Sequence, residues 1–240
     1  MATGKHLWKV KHKNEPQLSN ITVAGGRVYA ASFADPSKER GPSAHGRSGA
    51  GEFIALDAKT GKVLWAIPGG TMCKPLYRDE VVYAFRQNAL TSLDAGTGKL
   101  LWTLPMEETI SATGLALSGD FLVVAGFNTT VPLRCINIKE RKEAWSFKPE
   151  GVSEILSPII CGDLVLVTTA GKVGGLDYER GRTSPIYGLD LVTGNQVWHC
   201  AIPGSECVED GQRRAFNTYV GGWAYPDGKR IYVLSFTGKF

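Results

Sequence analysis

The sequence contains no long apolar run and no cluster of basic residues. Its longest uninterrupted apolar stretches, Phe121–Gly126 and Leu164–Val167, have the length of single strands, whereas a membrane-spanning helix needs about 20 residues. Its 27 Lys and Arg residues and 23 Asp and Glu residues give a net charge of +4, spread along the chain. We therefore expect neither a transmembrane segment nor a nucleic-acid partner. The first residues, MATGKHLWKVKHK, lack the apolar core of a signal peptide, which taken alone indicates a cytosolic protein.

Cysteine and histidine are also scarce. The five Cys residues are an odd number, so at least one thiol is unpaired within the chain. Cys200 and Cys207 are close enough in sequence to form a disulfide in an oxidising compartment, and two free thiols are the alternative. His45 has no second His at the spacing of metal ligands, so we expect no metal site there. No Ser-His-Asp, Cys-His or paired-carboxylate arrangement is visible, so we predict no catalytic residue.

Glycine, proline and aromatic residues are plentiful instead. The chain has 29 Gly, 12 Pro, nine Phe, eight Tyr and six Trp, and 43% of its residues are apolar. Many turn residues combined with many aromatic residues favour short strands over long helices. The apolar fraction is large enough to form a sizeable core.

A repeated segment ending in Trp organises the chain. Three copies align without gaps: IALDAKTGKVLW (Ile54–Trp65), TSLDAGTGKLLW (Thr91–Trp102) and YGLDLVTGNQVW (Tyr187–Trp198). A weaker copy is RCINIKERKEAW (Arg134–Trp145), and a partial copy, ATGKHLW (Ala2–Trp8), opens the chain. The spacing of the Trp residues predicts a basic repeat of about 37–43 residues, with insertions in two copies.

Each repeat contains four strand-like segments. In the first full repeat these are Leu18–Ala24, Arg27–Phe33, Glu52–Asp57 and Lys62–Ile67. In the second they are Met72–Tyr77, Val81–Phe85, Leu90–Leu93 and Lys99–Leu104. Four antiparallel strands in about 40 residues are typical of a propeller blade. The sequence therefore predicts an all-β fold, a β-propeller of four-stranded antiparallel blades.

The Asp-x-x-Thr-Gly segment of each repeat joins the third and fourth strands. Its carboxylates can accept backbone N–H bonds within the turn, and its glycines suit a positive φ. Gly96–Lys99 resembles a phosphate loop but lacks the required spacing, so we interpret it as a turn as well. The predicted turn residues are Asp57, Gly61, Asp94, Gly98, Asp190 and Gly194. The repeat Arg134–Trp145 lacks this motif but keeps its Trp, which predicts an altered turn with the packing role of the Trp retained.

The segment Ala55-x-Asp57-x-x-Thr60-Gly61-Lys62-x-x-Trp65 resembles the tryptophan-docking motif of the PQQ-like β-propeller repeat. That repeat occurs in quinoprotein dehydrogenases and in BamB-type outer-membrane assembly lipoproteins, and the resemblance covers essentially the whole chain. It implies a periplasmic or cell-envelope location, although the sequence itself leaves the location open. It also implies that the repeated tryptophans dock between adjacent blades: Trp8, Trp65, Trp102, Trp145 and Trp198.

Pyrroloquinoline quinone (PQQ) and Ca²⁺ are bound by the enzymatic branch of this family, which is often marked by an adjacent Cys-Cys pair. The five Cys here, at 73, 135, 161, 200 and 207, include no such pair. We can align no quinone-binding or calcium-binding residues. The resemblance thus leads us to expect no cofactor and no metal, and PQQ and Ca²⁺ only if the chain is part of an enzyme.

The repeats divide the chain into one propeller domain, residues 1–240, with about five blades visible. We expect a partial blade at 1–13, full blades at about 14–70, 71–108, 109–150 and 151–204, and an incomplete blade at 205–240. The chain opens on a predicted fourth strand, Lys5–Val10, and closes after two strands, Tyr219–Ala224 and Arg230–Phe236. Phe240 would begin a third strand. A chain that opens on a fourth strand and closes after two strands favours a partial or open propeller. The alternative is a complete five-bladed ring with one defective blade.

Three long insertions are predicted to crowd one face of the propeller: Ala34–Gly51, Gly171–Ser184 and Gly204–Ala215. Loops on a rigid scaffold often carry binding residues. Their arginines suit an anionic ligand or a protein surface, and solvated loops without a function are the alternative. The candidate binding rim consists of Arg40, Arg47, Arg180, Arg182, Arg213 and Arg214.

Such repeats also occur fused to kinases and enzymes, so a sensor or extracellular module is one possible function, and two further functions compete with it. The first is a non-catalytic propeller that acts as a scaffold and binds another protein or a small ligand at the face carrying the long loops. The alternative is a fragment of a PQQ-dependent oxidoreductase whose catalytic blades lie outside these residues. We favour the first, because the residues show no catalytic constellation and the repeated motif specifies packing rather than chemistry.

Overall fold

A computed structural model describes the backbone of most of the chain: residues 6–10, 18–32, 51–71, 73–106, 111–127, 131–149, 154–170, 184–202, 205–209, 212–216, 220–226 and 231–235. These residues fall into two compact units, 1–109 and 110–240. No helix in the described ranges is long and apolar enough to cross a membrane.

Sheet 1 is an antiparallel meander of four strands in chain order. Its strands are β1 (Leu18–Ala24), β2 (Arg27–Ser32), β3 (Glu52–Asp57) and β4 (Val63–Pro68). Gly25 and Gly26 both have positive φ, 56° and 70°. Two such residues form the two-residue turn that matches the twist of a hairpin. The bounds agree with the sequence prediction to within one residue.

Sheet 2 has the same order and direction of strands. The strands are β5 (Leu76–Arg78), β6 (Val81–Arg86), β7 (Ala89–Asp94) and β8 (Leu100–Pro105). The prediction that the first strand spans Met72–Tyr77 is wrong, because β5 begins only at Leu76. Pro75 precedes it and cannot donate to a ladder. Thr71 Oγ1 donates instead to the carbonyl of Cys73 at 2.9 Å.

The second unit contains two further four-stranded sheets. Sheet 3 comprises β9 (Ser111–Ser118), β10 (Phe121–Phe127), β11 (Leu133–Asn137) and β12 (Lys142–Phe147). A two-residue strand follows, β13 (Glu154–Ile155). Sheet 4 comprises β14 (Ile159–Cys161), β15 (Leu164–Ala170), β16 (Ser184–Asp190) and β17 (Gln196–Ile202).

Strand β13 joins sheets 3 and 4, a connection that the sequence did not predict. Glu154 pairs with Phe127 of β10 on one side and with Ala170 of β15 on the other. The hydroxyl of Thr113 in β9 donates to the carbonyl of Ile155 at 2.6 Å. Main-chain and side-chain bonds from two sheets thus fix the segment between them.

Two hairpins follow sheet 4. They are formed by β18 (Ser205–Glu209) with β19 (Gln212–Phe216), and by β20 (Val220–Pro226) with β21 (Ile231–Ser235). The prediction of a loop at Gly204–Ala215 is therefore wrong. The polar composition of this segment gave no strand signal, because the ladder is formed by backbone pairing. The strands predicted at Tyr219–Ala224 and Arg230–Phe236 correspond to β20 and β21.

The predicted opening strand, Lys5–Val10, is not found. Residues 6–10 belong to no strand, and no strand in the described ranges pairs with them. A strand requires hydrogen bonds from a neighbouring chain segment. This segment is held against sheet 1 by the side chain of Trp8 instead. Phe240, the predicted start of a further strand, lies outside the described residues.

The inner strands of sheet 1 are buried on both faces, as expected for a sheet covered on each side. One face, with Tyr29, Phe53 and Trp65, packs against Val82 and Leu93 of sheet 2. The opposite face forms a second cluster that Trp8 and Val10 adjoin: Ala30, Ile54 and Leu56. In the second unit one core joins sheets 3 and 4, and it includes Val123, Leu133, Trp145, Val165 and Leu189.

Candidate functional site

The turn after β3 is closed by its own polar side chains. Asp57 Oδ1 accepts hydrogen bonds from the backbone N–H of Lys59 at 3.1 Å, the N–H of Thr60 at 2.8 Å and the hydroxyl of Thr60 at 2.7 Å. The Gly61 N–H donates to the carbonyl of Asp57 at 2.8 Å, with φ of 71° at Gly61. One carboxylate oxygen thus organises a whole exposed turn.

The same geometry recurs in sheets 2 and 4. Asp94 Oδ1 accepts from the N–H and hydroxyl of Thr97 at 2.8 and 2.6 Å, and Asp190 Oδ1 accepts from those of Thr193 at 2.7 and 2.8 Å. These bonds favour the ionised carboxyl. For Asp57 and Asp94 the threonine side chain is the largest cause that lowers the pKa, and for Asp190 it is the threonine backbone N–H.

The degenerate repeat of sheet 3 forms its turn with different residues. Asn137 Oδ1 accepts from the N–H groups of Lys139 and Glu140, both at 3.1 Å. Arg141 occupies the position of the turn glycine and has φ of 56°. An asparagine amide therefore supplies the acceptor, while a non-glycine residue adopts the left-handed backbone.

Trp65 on β4 lies against the aspartate turn of the next sheet. Its indole Nε1 donates to the carbonyl of Ala95 at 3.0 Å. A Cβ added to Gly98 would come within 2.8 Å of Trp65 Cδ2, so the ring rests directly on this glycine. The turn glycine thus serves two needs, a positive φ and the close approach of an indole.

Trp8 and Trp145 make corresponding contacts. Trp8 Nε1 donates to the carbonyl of Ala58 at 2.9 Å, and its ring covers Gly61. Trp145 of sheet 3 donates to the carbonyl of Leu191 at 2.8 Å, and its ring covers Gly194 of sheet 4. In each of these three cases the acceptor is the residue that follows the turn aspartate.

The remaining two predicted docking residues are placed on equivalent strands. Trp102 lies on β8 with its ring centroid 6.1 Å from that of Tyr83. Trp198 lies on β17 opposite Gly188. Their docking between blades stays a prediction.

A small residue faces each of the four strand tryptophans, a feature that the sequence interpretation missed. The pairs are Ala55 with Trp65, Ser92 with Trp102, Cys135 with Trp145, and Gly188 with Trp198. A Cβ on Gly188 would meet Trp198 Cε2 at 2.4 Å. Just beyond each pair the register shifts by one residue, a β-bulge. The signal was present in the sequence, because each small residue precedes its Trp by ten positions.

A second contact between sheets 1 and 2 is not part of the repeat. Arg27 Nη1 donates to Glu80 Oε2 at 2.8 Å, and the hydroxyl of Tyr77 donates to Glu80 Oε1 at 2.5 Å. The ring of Tyr77 stacks on that of Tyr29 with centroids 6.0 Å apart. The hydrogen bond from Tyr77 and the charge of Arg27 lower the pKa of Glu80. No periodic pattern marks this pair, because neither Arg27 nor Glu80 belongs to the repeated motif.

The candidate binding rim falls almost entirely outside the described residues. This applies to Arg40, Arg47, Arg180 and Arg182. Arg213 and Arg214 lie in β19, for which only the backbone is described. The side chain of Cys207 is outside the described part as well, so its pairing with Cys200 stays open. Within the described ranges no group of three or more His, Cys, Asp or Glu residues is arranged to hold a metal ion.

Comparison with models of known protein families finds one that matches this chain. A family model described as "Outer membrane protein assembly factor BamB" matches residues 1–131 and again residues 69–238. The chain belongs to this family. The predicted relationship to PQQ-like, BamB-type repeats is thereby confirmed. No curated protein is significantly similar in sequence.

Several solved structures share the fold at low sequence identity. BamB from Moraxella catarrhalis is 16% identical with a TM-score of 0.56, over 90% of this chain and 66% of that chain. Hydrazine synthase from Kuenenia stuttgartiensis is 16% identical with a TM-score of 0.59, over 85% and 53%. The quinohemoprotein alcohol dehydrogenase ADHIIG from Pseudomonas putida HK5 is 15% identical with a TM-score of 0.52, over 81% and 37%. The chain thus spans less than two thirds of these relatives, and the likeness establishes the fold alone.

Proposed function

We propose that this protein is a non-catalytic propeller of the cell envelope that binds another protein and acts as a scaffold. The proposal rests on one observation: the polar residues of the repeated Asp-x-x-Thr-Gly motif are used within their own turns. The carboxylates of Asp57, Asp94 and Asp190 accept hydrogen bonds from their own turns. Trp rings cover the glycines of these same turns. The motif that is most repeated in the chain therefore serves packing, which leaves the variable loops and strand edges for recognition.

Membership in the BamB family supports a protein as the partner and the cell envelope as the location. The family model is named for a factor in outer-membrane protein assembly. A partner from the same assembly machinery fits a protein whose long predicted loops carry several arginines. An arginine-rich, polar surface is suited to a protein contact because guanidinium groups bind carboxylates in a bidentate manner.

Sedimentation velocity with purified proteins tests this function. The chain would be mixed in turn with each purified soluble component of the outer-membrane assembly machinery of its source organism. We expect a saturable complex with one of them, weakened by Arg180→Glu in the predicted rim and unaffected by Lys148→Glu, a matched charge reversal at an exposed position directly after β12. If none of the components forms a complex with the chain, the proposal is contradicted.

A further inference from the structure

Arg86, the last residue of β6, carries a buried positive charge and is only 8% exposed. Its Nε donates to the carbonyl of Gly69 at 3.1 Å, and its Nη2 donates to the carbonyl of Pro68. The guanidinium also lies over the ring of Phe53, with Cζ 5.8 Å from the ring centroid. Groups at the end of sheet 1 thereby fix the orientation of a cation that belongs to sheet 2.

No carboxylate pairs with Arg86 among the residues that the structure describes. The arginines that have such a partner include Arg27, with Glu80, and Arg134, with Glu143. A guanidinium does not lose its proton in a protein, so the charge of Arg86 persists. Two carbonyl dipoles and an aromatic face orient this charge but do not neutralise it. Because burying a charge without a counter-ion is unfavourable, an anion that met Arg86 would be stabilised.

The repeat does not require an arginine at this position. The first residue of each second strand pairs with the Asp or Asn that opens the turn after the third strand, which aligns the four sheets. In the other three sheets the positions equivalent to Arg86 hold small neutral residues: Ser32, Gly126 and Thr169. The charge of Arg86 is therefore particular to sheet 2 and is not part of the packing common to the repeats.

One edge of the guanidinium keeps its hydrogen-bond donors. A guanidinium has five N–H groups in one plane. The carbonyls of Pro68 and Gly69 occupy the edge formed by Nε and Nη2. Within the described ranges no acceptor is bonded to Nη1, so the edge formed by Nη1 and Nη2 offers one N–H from each nitrogen. Two parallel N–H groups of this kind bind both oxygens of a carboxylate.

We propose that Arg86 binds the carboxylate of a ligand through the edge formed by Nη1 and Nη2. Its single positive charge matches that of a carboxylate, whereas a phosphate group carries about −1.5 to −2 and would remain partly uncompensated. The next two residues, Gln87 and Asn88, are exposed, so a ligand would reach Arg86 from this turn. The site goes beyond the proposed function, which does not depend on it.

Arginine side-chain NMR tests the site on the unaltered protein. The Nε–H signals of the isotope-labelled chain would be followed as sodium acetate is added, with sodium chloride as the reference at equal ionic strength. We expect the Arg86 signal to shift saturably with acetate, with an affinity on the order of millimolar for one bidentate contact. Arg134 is the internal control, because its guanidinium pairs with Glu143 at 2.6 Å. The spectrum of Arg86→Lys assigns the signal.

Thermal unfolding provides a second measurement. Acetate should raise the melting temperature of the wild type more than chloride does, because a ligand that binds only the folded chain stabilises it. This difference should disappear in Arg86→Gln and persist in Arg134→Gln, a matched loss of one guanidinium. If Arg86→Gln does not fold, the NMR titration of the wild type decides alone.

A capped tripeptide, acetyl-Gly-Glu-Gly-amide, distinguishes the two sources of a carboxylate. Binding about tenfold tighter than that of acetate would assign the site to an acidic side chain of a partner protein, and equal or weaker binding to a small carboxylate. Three results would overturn the site: no shift of the Arg86 signal with acetate, an equal shift with chloride, or an equal shift of the Arg134 signal. None of these results bears on whether an assembly component binds in the sedimentation experiment, so the two proposals fail separately.

Discussion

The indole N–H of Trp65 in sheet 1 donates a 3.0 Å hydrogen bond to the carbonyl of Ala95 in sheet 2, 30 residues further along the chain. Both residues are buried, and the ring of Trp65 covers Gly98 in the same turn. A single side chain thereby fills the space between two sheets and satisfies a carbonyl that water does not reach. Truncating this side chain should show how strongly the two sheets depend on each other.

Trp65→Ala should lower the free energy of unfolding by about 3–5 kcal/mol, because it removes a large buried ring and leaves a cavity. Trp65→Phe should cost less, since it keeps an aromatic ring and loses only part of the volume and the N–H donor, which is worth about 1 kcal/mol. Urea unfolding followed by far-UV circular dichroism measures both. A loss below 1 kcal/mol for Trp65→Ala would mean that the ring contributes little to the contact between the sheets.

Gly98→Ala should destabilise the protein more than Gly26→Ala does. Both glycines have positive φ, 71° and 70°, so both substitutions carry the same backbone strain of about 1 kcal/mol. A Cβ at Gly98 would also meet the Trp65 ring at 2.8 Å, whereas nothing lies within 4 Å of a Cβ at Gly26. Thermal unfolding of the two variants isolates the steric contact, and equal melting temperatures would argue against a close contact between ring and turn.

Acid should weaken the aspartate turns. Hydrogen bonds from Thr97 lower the pKa of Asp94 below its value in the unfolded chain, near 3.9. The stabilisation is therefore fully present above about pH 4 and is lost as the pH falls through the lower, folded-state pKa. Asp94→Asn keeps an acceptor oxygen, as Asn137 does in sheet 3, but removes this titration. Urea midpoints between pH 6 and pH 3 should fall less for Asp94→Asn than for the wild type, and parallel curves would contradict the role of the carboxylate.

Ser92→Ala should stabilise the protein. The hydroxyl of Ser92 is buried opposite Trp102 and has no hydrogen-bond partner within the described ranges, and sheet 1 has Ala55 at the equivalent position. Removing an unsatisfied buried hydroxyl should raise the free energy of unfolding by about 1 kcal/mol.

Thr91→Val is the matched control for Ser92→Ala. The hydroxyl of Thr91 is buried in the same strand and donates to the carbonyl of Ala84 at 3.0 Å, so its removal should destabilise the protein by about 1 kcal/mol. Chemical denaturation distinguishes the two substitutions. Equal losses of stability would show that the hydroxyl of Ser92 is satisfied.

The four-stranded repeats could be predicted because their signals are local. Apolar segments such as Phe53–Leu56 are buried on both faces, and the motif from Asp57 to Gly61 closes a turn through its own side chains. Strand β13 could not be predicted, because its two residues form a strand only where β10 and β15 supply partners. The hairpin of β18 and β19 was hidden by its charged sequence.

The sequence predicted which tryptophans make the docking contacts but not which residues they contact. Trp65 belongs to the same copy of the repeat as the turn of Asp57. Its ring and N–H, however, contact the turn of the following copy, at Ala95 and Gly98. Which carbonyl accepts the indole N–H depends on how adjacent sheets stack, and periodicity carries no information about that. Among the residues that the structure describes, the ion pair of Arg27 and Glu80 has no counterpart in the other sheets, so no repeated pattern marks it.

The proposed non-catalytic function depends on the repeated Asp-x-x-Thr-Gly and Trp residues serving packing rather than chemistry. Isothermal titration calorimetry of the purified chain with pyrroloquinoline quinone in the presence of Ca²⁺ tests this claim most directly. We predict no saturable heat of binding. One-to-one binding that Asp94→Asn abolishes in a folded protein would contradict it, because a turn carboxylate would then contribute to a cofactor site.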